Sequence, residues 1–365
     1  MRVFQLMTFG QPYLKHFDRD VFRQPDATHE ETLAALLADR YGNAHILLPV
    51  LTGDSRVRLA VGDATRSQLA WARGHGLGAK TPPNEIVLAQ VEEHRSEIFY
   101  NLSPVVFENA LLRKLPGCVR KTICWRAAPL GGVDLSGYDL RVGNFLRFID
   151  EWNREGLKSA WFEPAHDPVA SDYARGEGRD IDIAFAGTYS WLHSRRNLLL
   201  QRVAELASRH VIRFHFSLSR SARLANALGP LRGLLPKQSL PAALRQVSQG
   251  PVYGRAMYEV FGRARIVLNA AIDMASDFRG NMRCWEAMGC GALMLSDEGR
   301  YPPGMMPGRD FVTYRDSGDA IETIDRVLSG YDAFRPVAAS GQTTMETRYT
   351  KEAQWTAFQN LAENA

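Results

Sequence analysis

A carboxylate one helical turn from a guanidinium, among residues too small and apolar to solvate it, is the feature of this 365-residue sequence that most asks for a ligand. Arg283 and Glu286 are three residues apart and share a helix face. Glu286 is followed by Ala287, Met288, Gly289, Cys290, Gly291 and Ala292, where an unpaired charge is costly. Either Glu286 is an ordinary solvent-facing helix residue, or its carboxylate is held for a ligand; Arg283 either pairs with it or reaches a phosphate. The run from Met274 to Arg300 reads as a loop, Gly280-Asn281, a short helix, a Gly-Cys-Gly turn and a strand. Parallel α/β sheets bind ligands at the carboxyl ends of their strands, where helix N-termini offer free N–H groups to phosphates. No Asp-x-Asp pair stands in this run, and the nine histidines form no His-Glu-x-x-His pattern, so no protein-built metal site is expected.

A second place of the same kind is Gly187-Thr188-Tyr189-Ser190, directly after the apolar run IDIAFAG. Gly187 would let a phosphate approach the backbone, with Arg195 or Arg196 adding charge, although plain turn chemistry explains the same residues. His193 opens the next helix, and His166 lies between the two halves of the chain. A neutral imidazole bonds a phosphate or a sugar hydroxyl, and either residue equally caps or packs. In the first half, Gly10 to Asp18, Asn101 to Pro104 and Trp125 to Pro129 follow strand candidates, which is where a general base facing a cleft is sought. His16, Asp18 and His29 are the titratable groups there, against the ordinary reading of solvated loop residues.

The elements that must position these groups read as two α/β layer structures. The first half has strands at Val3 to Met7, AHILLPV, IFYNLSP, KTICWRA, YDLRVGN and SAWFEP. Thr28 and Glu31 form a capping box before THEETLAALLADRYG, which Gly42 ends. The second half restarts at IDIAFAG and continues through VIRFHFS, ARIVLNA, ALMLS and DFVTYR, with helices after His193 and around Met257, Trp285 and Ile321. Between the halves, Glu163 to Asp180 has two prolines, two glycines and no periodicity. The lobes are thus placed at 1–165 and 181–345, joined by a linker at 166–180, with a last helix at 346–365. A chain of this length suits two domains, and 45% hydrophobic with 23% charged residues describes a globular protein. The four cysteines lack metal spacing and read as free thiols of a reducing compartment. No run approaches a signal-peptide core or a membrane span, so a cytoplasmic protein is expected, with surface attachment to a membrane open. Between Glu205 and Glu259 the chain has no acidic residue, while Arg213, Arg220, Arg223, Arg232, Lys237, Arg245 and Arg255 fall there; the stretch expects an anion, with anionic lipid among the options.

The run Asn281-x-Arg283-x-x-Glu286-Ala287-Met288-Gly289-Cys290-Gly291-Ala292 resembles the donor-site signature of GT-B glycosyltransferases, closest to the CgeB-like and group 1 branch. The resemblance continues through Tyr253-Gly254-x-x-Met257-Tyr258-x-x-Phe261, the opening of the second lobe as far as His193 and Arg196, and Pro164-Ala-His166-Asp-Pro168. It implies two Rossmann-like, doubly wound lobes facing a central cleft, and a metal-independent transferase moving a sugar from a nucleotide diphosphate sugar to an acceptor. Glu286 would hold the ribose hydroxyls, Tyr253-Gly254 would lie near the base, and Asn281 with backbone amides would meet the phosphates. Gly187, Thr188, His193, Arg196 and Arg283 complete the expected donor site; His16, Asp18 and His166 are the candidates for catalysis. The small residues after Glu286 would let helix and strand pack closely, and the last helix would return to the N-terminal lobe through Ala353, Trp355, Phe358 and Leu361. Many retaining members carry a second Glu eight residues before the ribose-binding one; Phe278 stands there, beside Asp277, which leaves the stereochemistry open. The donor sugar is a substrate and no cofactor is expected, nor is nucleic acid as a partner; neither the acceptor nor the oligomeric state can be read. A nucleotide-sugar epimerase of the same fold and a non-catalytic nucleotide- or sugar-binding protein are the rival readings.

Overall fold

The computed structural model describes residues 1–128, 131–175, 178–190, 193–218, 220–227, 239–270 and 277–365. They form two units, Met1–Ala165 with Lys351–Ala365, and His166–Thr350.

The first unit is built on a six-stranded parallel sheet with strands β1 (Val3–Met7), β2 (Val57–Val61), β3 (Ile98–Asn101), β4 (Lys121–Trp125), β5 (Leu140–Gly143) and β6 (Ser159–Trp161), in the order β2-β1-β3-β4-β5-β6. Every residue of β1 is buried, as expected of a parallel strand covered on both faces. Val3 stands opposite both Val57 and Ile98, which makes β1 central.

Two expectations are corrected here. The strand beside β1 is Val57–Val61, whereas AHILLPV folds as a 3₁₀ turn, Asn43–His45, and a short helix, Leu48–Leu51. Pro49 has no N–H for a ladder. The buried Gln5 side chain on β1 supplies the missing bonds instead, donating to the His45 carbonyl at 2.8 Å and accepting from the Leu47 amide at 3.2 Å. The capping box at Thr28 and Glu31 is present, but its helix, His29–Asp39, stops at Arg40, which takes the left-handed conformation two residues before Gly42.

The C-terminal helix, Lys351–Glu363, belongs to the first unit. Its buried face is Lys351, Gln354, Phe358 and Ala362, at spacings of three and four. Of the expected stripe only Phe358 is buried; Ala353 is exposed, and Trp355 and Leu361 are half-buried. Two polar residues serve this face because the surface beneath offers carbonyls. Lys351 donates to Asn43 and Ile46, and Gln354 to Ala44 and Glu163. Phe358 lies against Tyr100, with ring centroids 4.8 Å apart. At the far end Lys121 donates to the carbonyls of Ala362 and Glu363, groups that a helix end leaves without partners.

The second unit has strands β7 (Ile181–Tyr189), β8 (Ile212–Leu218), β9 (Ser248–Gln249), β10 (Ala264–Leu268), β11 (Leu293–Asp297) and β12 (Val312–Tyr314), all parallel, in the order β12-β11-β10-β7-β8-β9. Counted within the unit, this is the Rossmann order 3-2-1-4-5-6. Residues 166–180, expected as a linker, belong to this unit, with Ala170 inside one of its apolar clusters.

Phe358→Ala should cost about 3–5 kcal/mol of stability, the usual toll for emptying a buried aromatic site. Leu361→Ala, half-buried, should cost clearly less. Urea unfolding of the two variants side by side checks this; equal losses would mean that the helix is seated by the stripe expected from sequence.

Candidate functional site

In open α/β sheets the ligand crevice lies where strand order reverses. In the second unit that point is between β7 and β10. β7 pairs with β8 up to Tyr189, but its register with β10 ends at Ala184, so its last residues overhang the notch above β10. On the other side the loop after β10 is anchored at Asn269, a buried residue. Its side chain accepts from Asn281 Nδ2 at 2.9 Å and donates to Ser296 Oγ at 3.1 Å, and its carbonyl accepts from the Tyr314 hydroxyl at 3.1 Å. The returning part of that loop is tied to the end of β11. Arg279 N donates to Arg300 O at 2.8 Å, Arg300 N to Asp277 O at 2.7 Å, and the Arg279 side chain pairs with Asp297. Met274 to Ser276, at the start of the run singled out above, lie outside the described residues.

The helix Arg283–Gly289 follows, and Glu286 sits in its first turn with a side chain only 11% exposed. Arg283 Nη1 donates to Glu286 Oε2 at 2.6 Å and lies against Met257 Sδ, while its guanidinium carbon stands 5.1 Å from the Phe261 ring centroid. Burial raises the Glu286 pKa above the ordinary carboxylate range; Arg283 opposes the shift and the neighbouring Asp167 adds to it. Asp167, itself buried, accepts from the Tyr258 hydroxyl at 3.2 Å. The glycines after Glu286 do more than bring helix to strand. A Cβ on Gly289 would stand 2.7 Å from the His166 ring, and Gly291, at φ 64°, leaves room for Ala174 and the Arg179 guanidinium. Those glycines admit His166, Ala170, Ala174 and Arg179 onto the helix that carries the carboxylate.

Residues 195–360, a little under half of the chain, match the glycosyl transferase-like family model. Among solved structures, the Anabaena protein HepE in complex with UDP and glucose is similar over 100% of both chains, with a TM-score of 0.60 at 10% identity. A glycosyltransferase from Rickettsia africae is similar over 100% of this chain and 98% of its own, at 0.59 and 12%. Sucrose-phosphate synthase from Thermosynechococcus elongatus is similar over 77% and 76%, at 0.53 and 12%. The chain has the GT-B fold, and its segment 195–360 is similar to the glycosyl transferase-like family. None of the curated proteins compared with the chain matches it.

Within the second unit, Gly187 is not a turn after the strand. It lies inside β7, opposite Phe216, and the strand runs two residues further because Thr188 and Tyr189 pair with Ser217 and Leu218. Thr188 is exposed at the notch. Arg196 is buried and donates to the Thr188 carbonyl at 2.7 Å, so its guanidinium ties the helix Ser194–Ala204 to the end of β7. His193 is the N-cap residue of that helix, without a side-chain capping bond. Tyr253 precedes the helix Gly254–Arg263, whose first residue is left-handed at φ 50°. Asn281 spends its Nδ2 on Asn269, within the protein. His166 Nε2 is 3.0 Å from Ser171 Oγ. Phe278 is buried, and Asp277 beside it pairs with Arg300.

His16 and Asp18 belong to the other unit. His16 pairs with Asp20 at 2.8 Å, and Asp18 with Arg66 at 3.0 Å. Asp18 lines a cavity of about 80 Å³ with Lys15, Asp63 and Arg66. His29 is buried against Ser67 Oγ at 2.9 Å, a packing role. The chain also contains two Asp-x-Asp spacings outside the donor run, Asp18–Asp20 and Asp180–Asp182. All four carboxylates face arginines, namely Arg66, Arg19, Arg263 and Arg265, and the described residues hold no group of three metal-ligating side chains. Arg232 and Lys237 of the basic stretch, and with them the middle of its expected lipid contact, lie outside the described residues, as does Pro129. Among the described residues no helix is long and apolar enough to cross a membrane. Asp167, Asn269 and Arg179 escaped the sequence reading; only the Asp-Pro step at 167–168, a helix-start signal, marked the first of them.

The raised pKa of Glu286 has a consequence for stability. A folded pKa above the unfolded one means that its contribution is complete below the unfolded pKa and is lost as pH rises through the folded value. Glu286→Gln cannot titrate, so its melting temperature relative to wild type should climb between about pH 4 and 8. A difference that stays flat across that range would show that burial leaves the carboxylate unperturbed.

Proposed function

We propose that the protein transfers a sugar from a nucleotide diphosphate sugar to an acceptor hydroxyl, with the donor nucleotide held at the notch between β7 and β10. The observation that carries this reading is Glu286, a nearly buried carboxylate in the first turn of a helix beside a strand-order reversal, inside the segment that matches the glycosyl transferase-like family. Two ribose hydroxyls suit it, because each donates to an ionised acceptor and offsets its desolvation. HepE, of the same fold, is solved with UDP and glucose, and this supports a uridine diphosphate sugar as donor. Arg283 presents its remaining guanidinium nitrogens beside that carboxylate, toward the diphosphate. The loop 277–282 and the helix start after it supply backbone N–H groups as charge develops on the leaving group. The donor's own atoms carry the chemistry, and no cofactor is proposed.

Glu286→Ala removes charge-assisted hydrogen bonds of roughly 1.5–3 kcal/mol each and should weaken nucleotide binding at least about tenfold, with the fold retained. Arg283→Ala should weaken nucleoside diphosphate more than nucleoside, whereas Glu286→Ala should weaken both. Calorimetric titration, after a thermal-shift screen over nucleotide sugars has found the donor, reads both numbers. A folded Glu286→Ala protein that binds as tightly as wild type ends the ribose assignment.

Transfer should also proceed without a divalent cation, since arginines and backbone amides are proposed to neutralise the diphosphate. Activity that EDTA abolishes and magnesium or manganese restores would contradict this.

A further inference from the structure

The donor notch lies at the carboxyl ends of β7 and β10, and a second cavity, of about 600 Å³, opens near the amino ends of the same two strands. Gly178 and Arg179 line it just before β7 begins, and Arg265 lines it from the second position of β10. The rest of its wall comes from residues between Leu328 and Arg335, in the turn that joins the helices Ser317–Ser329 and Arg335–Arg348. The donor reading makes no use of it.

Three guanidiniums share this cavity. Arg179 is 8% exposed and donates to five backbone carbonyls through Nη1 and Nη2. Among the described residues its Nε finds no acceptor and no carboxylate pairs with it. Arg265 spends Nη1 on Asp182 at 3.1 Å, and its Nε and Nη2 likewise have no acceptor among the described residues. Arg335 pairs through Nε with Asp332 at 2.8 Å, an exposed pair of the kind that contributes little. The Tyr331 ring keeps Arg265 and Arg335 together, with their guanidinium carbons 5.7 and 5.8 Å from its centroid. Its hydroxyl donates to the Arg265 carbonyl at 3.3 Å, which fixes the ring to β10. Asp182 and Asp332 thus answer the two outer guanidiniums, and the charge left over is the buried one, Arg179.

Like charges gathered at one cavity repel, and an anion placed among them relieves the repulsion. The open N–H groups of a planar guanidinium match two oxygens of a phosphate, which a single carboxylate partner at Nη1 leaves unused on Arg265. The space is larger than a phosphate ion needs and falls within the range of about 300–1,000 Å³ typical of small-molecule sites. We propose that this cavity is a second ligand site, taking the dianionic phosphate of a small phosphorylated compound, with Arg265 and Arg335 as its binding cations and Arg179 as the buried charge behind them. It does not depend on the donor assignment, because neither Glu286 nor Arg283 lines it.

The test is thermal unfolding of the full chain with inorganic phosphate and with glucose 1-phosphate near about pH 8, where both are mostly dianions, against potassium chloride at equal ionic strength. Both anions should raise the melting temperature above the chloride control, saturably, so that the concentration dependence gives a Kd. A tighter Kd for glucose 1-phosphate means that the sugar fills the rest of the cavity, and equal values make free phosphate the ligand; either result supports the site. Arg265→Gln and Arg335→Glu should each weaken both anions at least about tenfold. Arg283→Ala, in the donor notch, should leave them bound as in wild type. Arg335→Glu also guards against misfolding, since Arg335 is exposed at the first position of its helix, where an acidic residue is favourable. No saturable rise in wild type would overturn the site, as would a rise that survives both arginine substitutions in folded protein. A rise that Arg283→Ala abolishes would overturn it too, by moving the anion to the donor notch.

Discussion

One guanidinium ties together the two helices of the second unit that carry Tyr258 and Glu286. Arg179 is buried and donates to five backbone carbonyls, those of Phe261, Gly262, Ala264, Cys290 and Gly291, at 2.7 to 3.2 Å. Four of them lie at the C-terminal ends of two helices, Gly254–Arg263 carrying Tyr258 and Arg283–Gly289 carrying Glu286, and the fifth, Ala264, opens β10. Burial lowers the Arg179 pKa but cannot neutralise a guanidinium, so the cation is bearable only because the carbonyl dipoles surround it. Without it, each of these carbonyls would lose a buried donor. Glycine is what lets the segment bearing Arg179 come this close. A Cβ on Gly262 would stand 2.1 Å from the Tyr173 carbonyl oxygen, and one on Gly289 would meet His166.

The scaffold fixed in this way supports a group that weakens it. Glu286 stands nearly enclosed, its pKa raised by burial and by Asp167, with Arg283 as partial compensation. A carboxylate so placed costs the unliganded protein stability and interacts strongly with whatever donor of hydrogen bonds arrives, the usual balance at a binding site. The same arrangement separates residues that the chain writes side by side. His166 and Asp167 are neighbours in sequence, yet His166 bonds Ser171 while Asp167 bonds Tyr258. Asn281 and Arg283 are only two residues apart, yet Asn281 is used to hold the loop to Asn269 and Arg283 to hold the carboxylate.

The first unit shows how the fold of a single chain is closed. Its last helix brings a lysine and a glutamine, rather than a purely apolar stripe, to a surface of open carbonyls formed where the chain after Arg40 turns through Asn43–His45 instead of extending as a strand. His45, enclosed there against the Trp125 ring, has its pKa pushed down to about 3 by burial and by Lys351 and stays neutral.

Some of this protein was determined by sequence alone, because the physics is local. Apolar runs bounded by turn residues marked ten of the twelve strands, all but β2 and β9, well enough to give two α/β halves, and the Thr28–Glu31 capping box needs only four consecutive residues. The Arg283–Glu286 pair follows from helical spacing, and the run around it carried the resemblance to a glycosyltransferase donor site. What lay beyond the sequence was every choice made by distant partners. AHILLPV has strand-like composition, but Gln5 and Pro49 decide against it; Gly187 looks like a turn, but β8 extends the strand through it. Arg196 and Asn281 have the side chains of phosphate ligands, but the carbonyl of Thr188 and the amide of Asn269 claim them first. The strand order that makes a notch between β7 and β10 is set by crossovers tens of residues long, and the contacts of Asp167 with Tyr258 and of Arg179 with Gly291 span 91 and 112 residues of chain. Hydrogen-bond demand and burial are properties of the assembled neighbourhood, and no local pattern of residues encodes which neighbour arrives first.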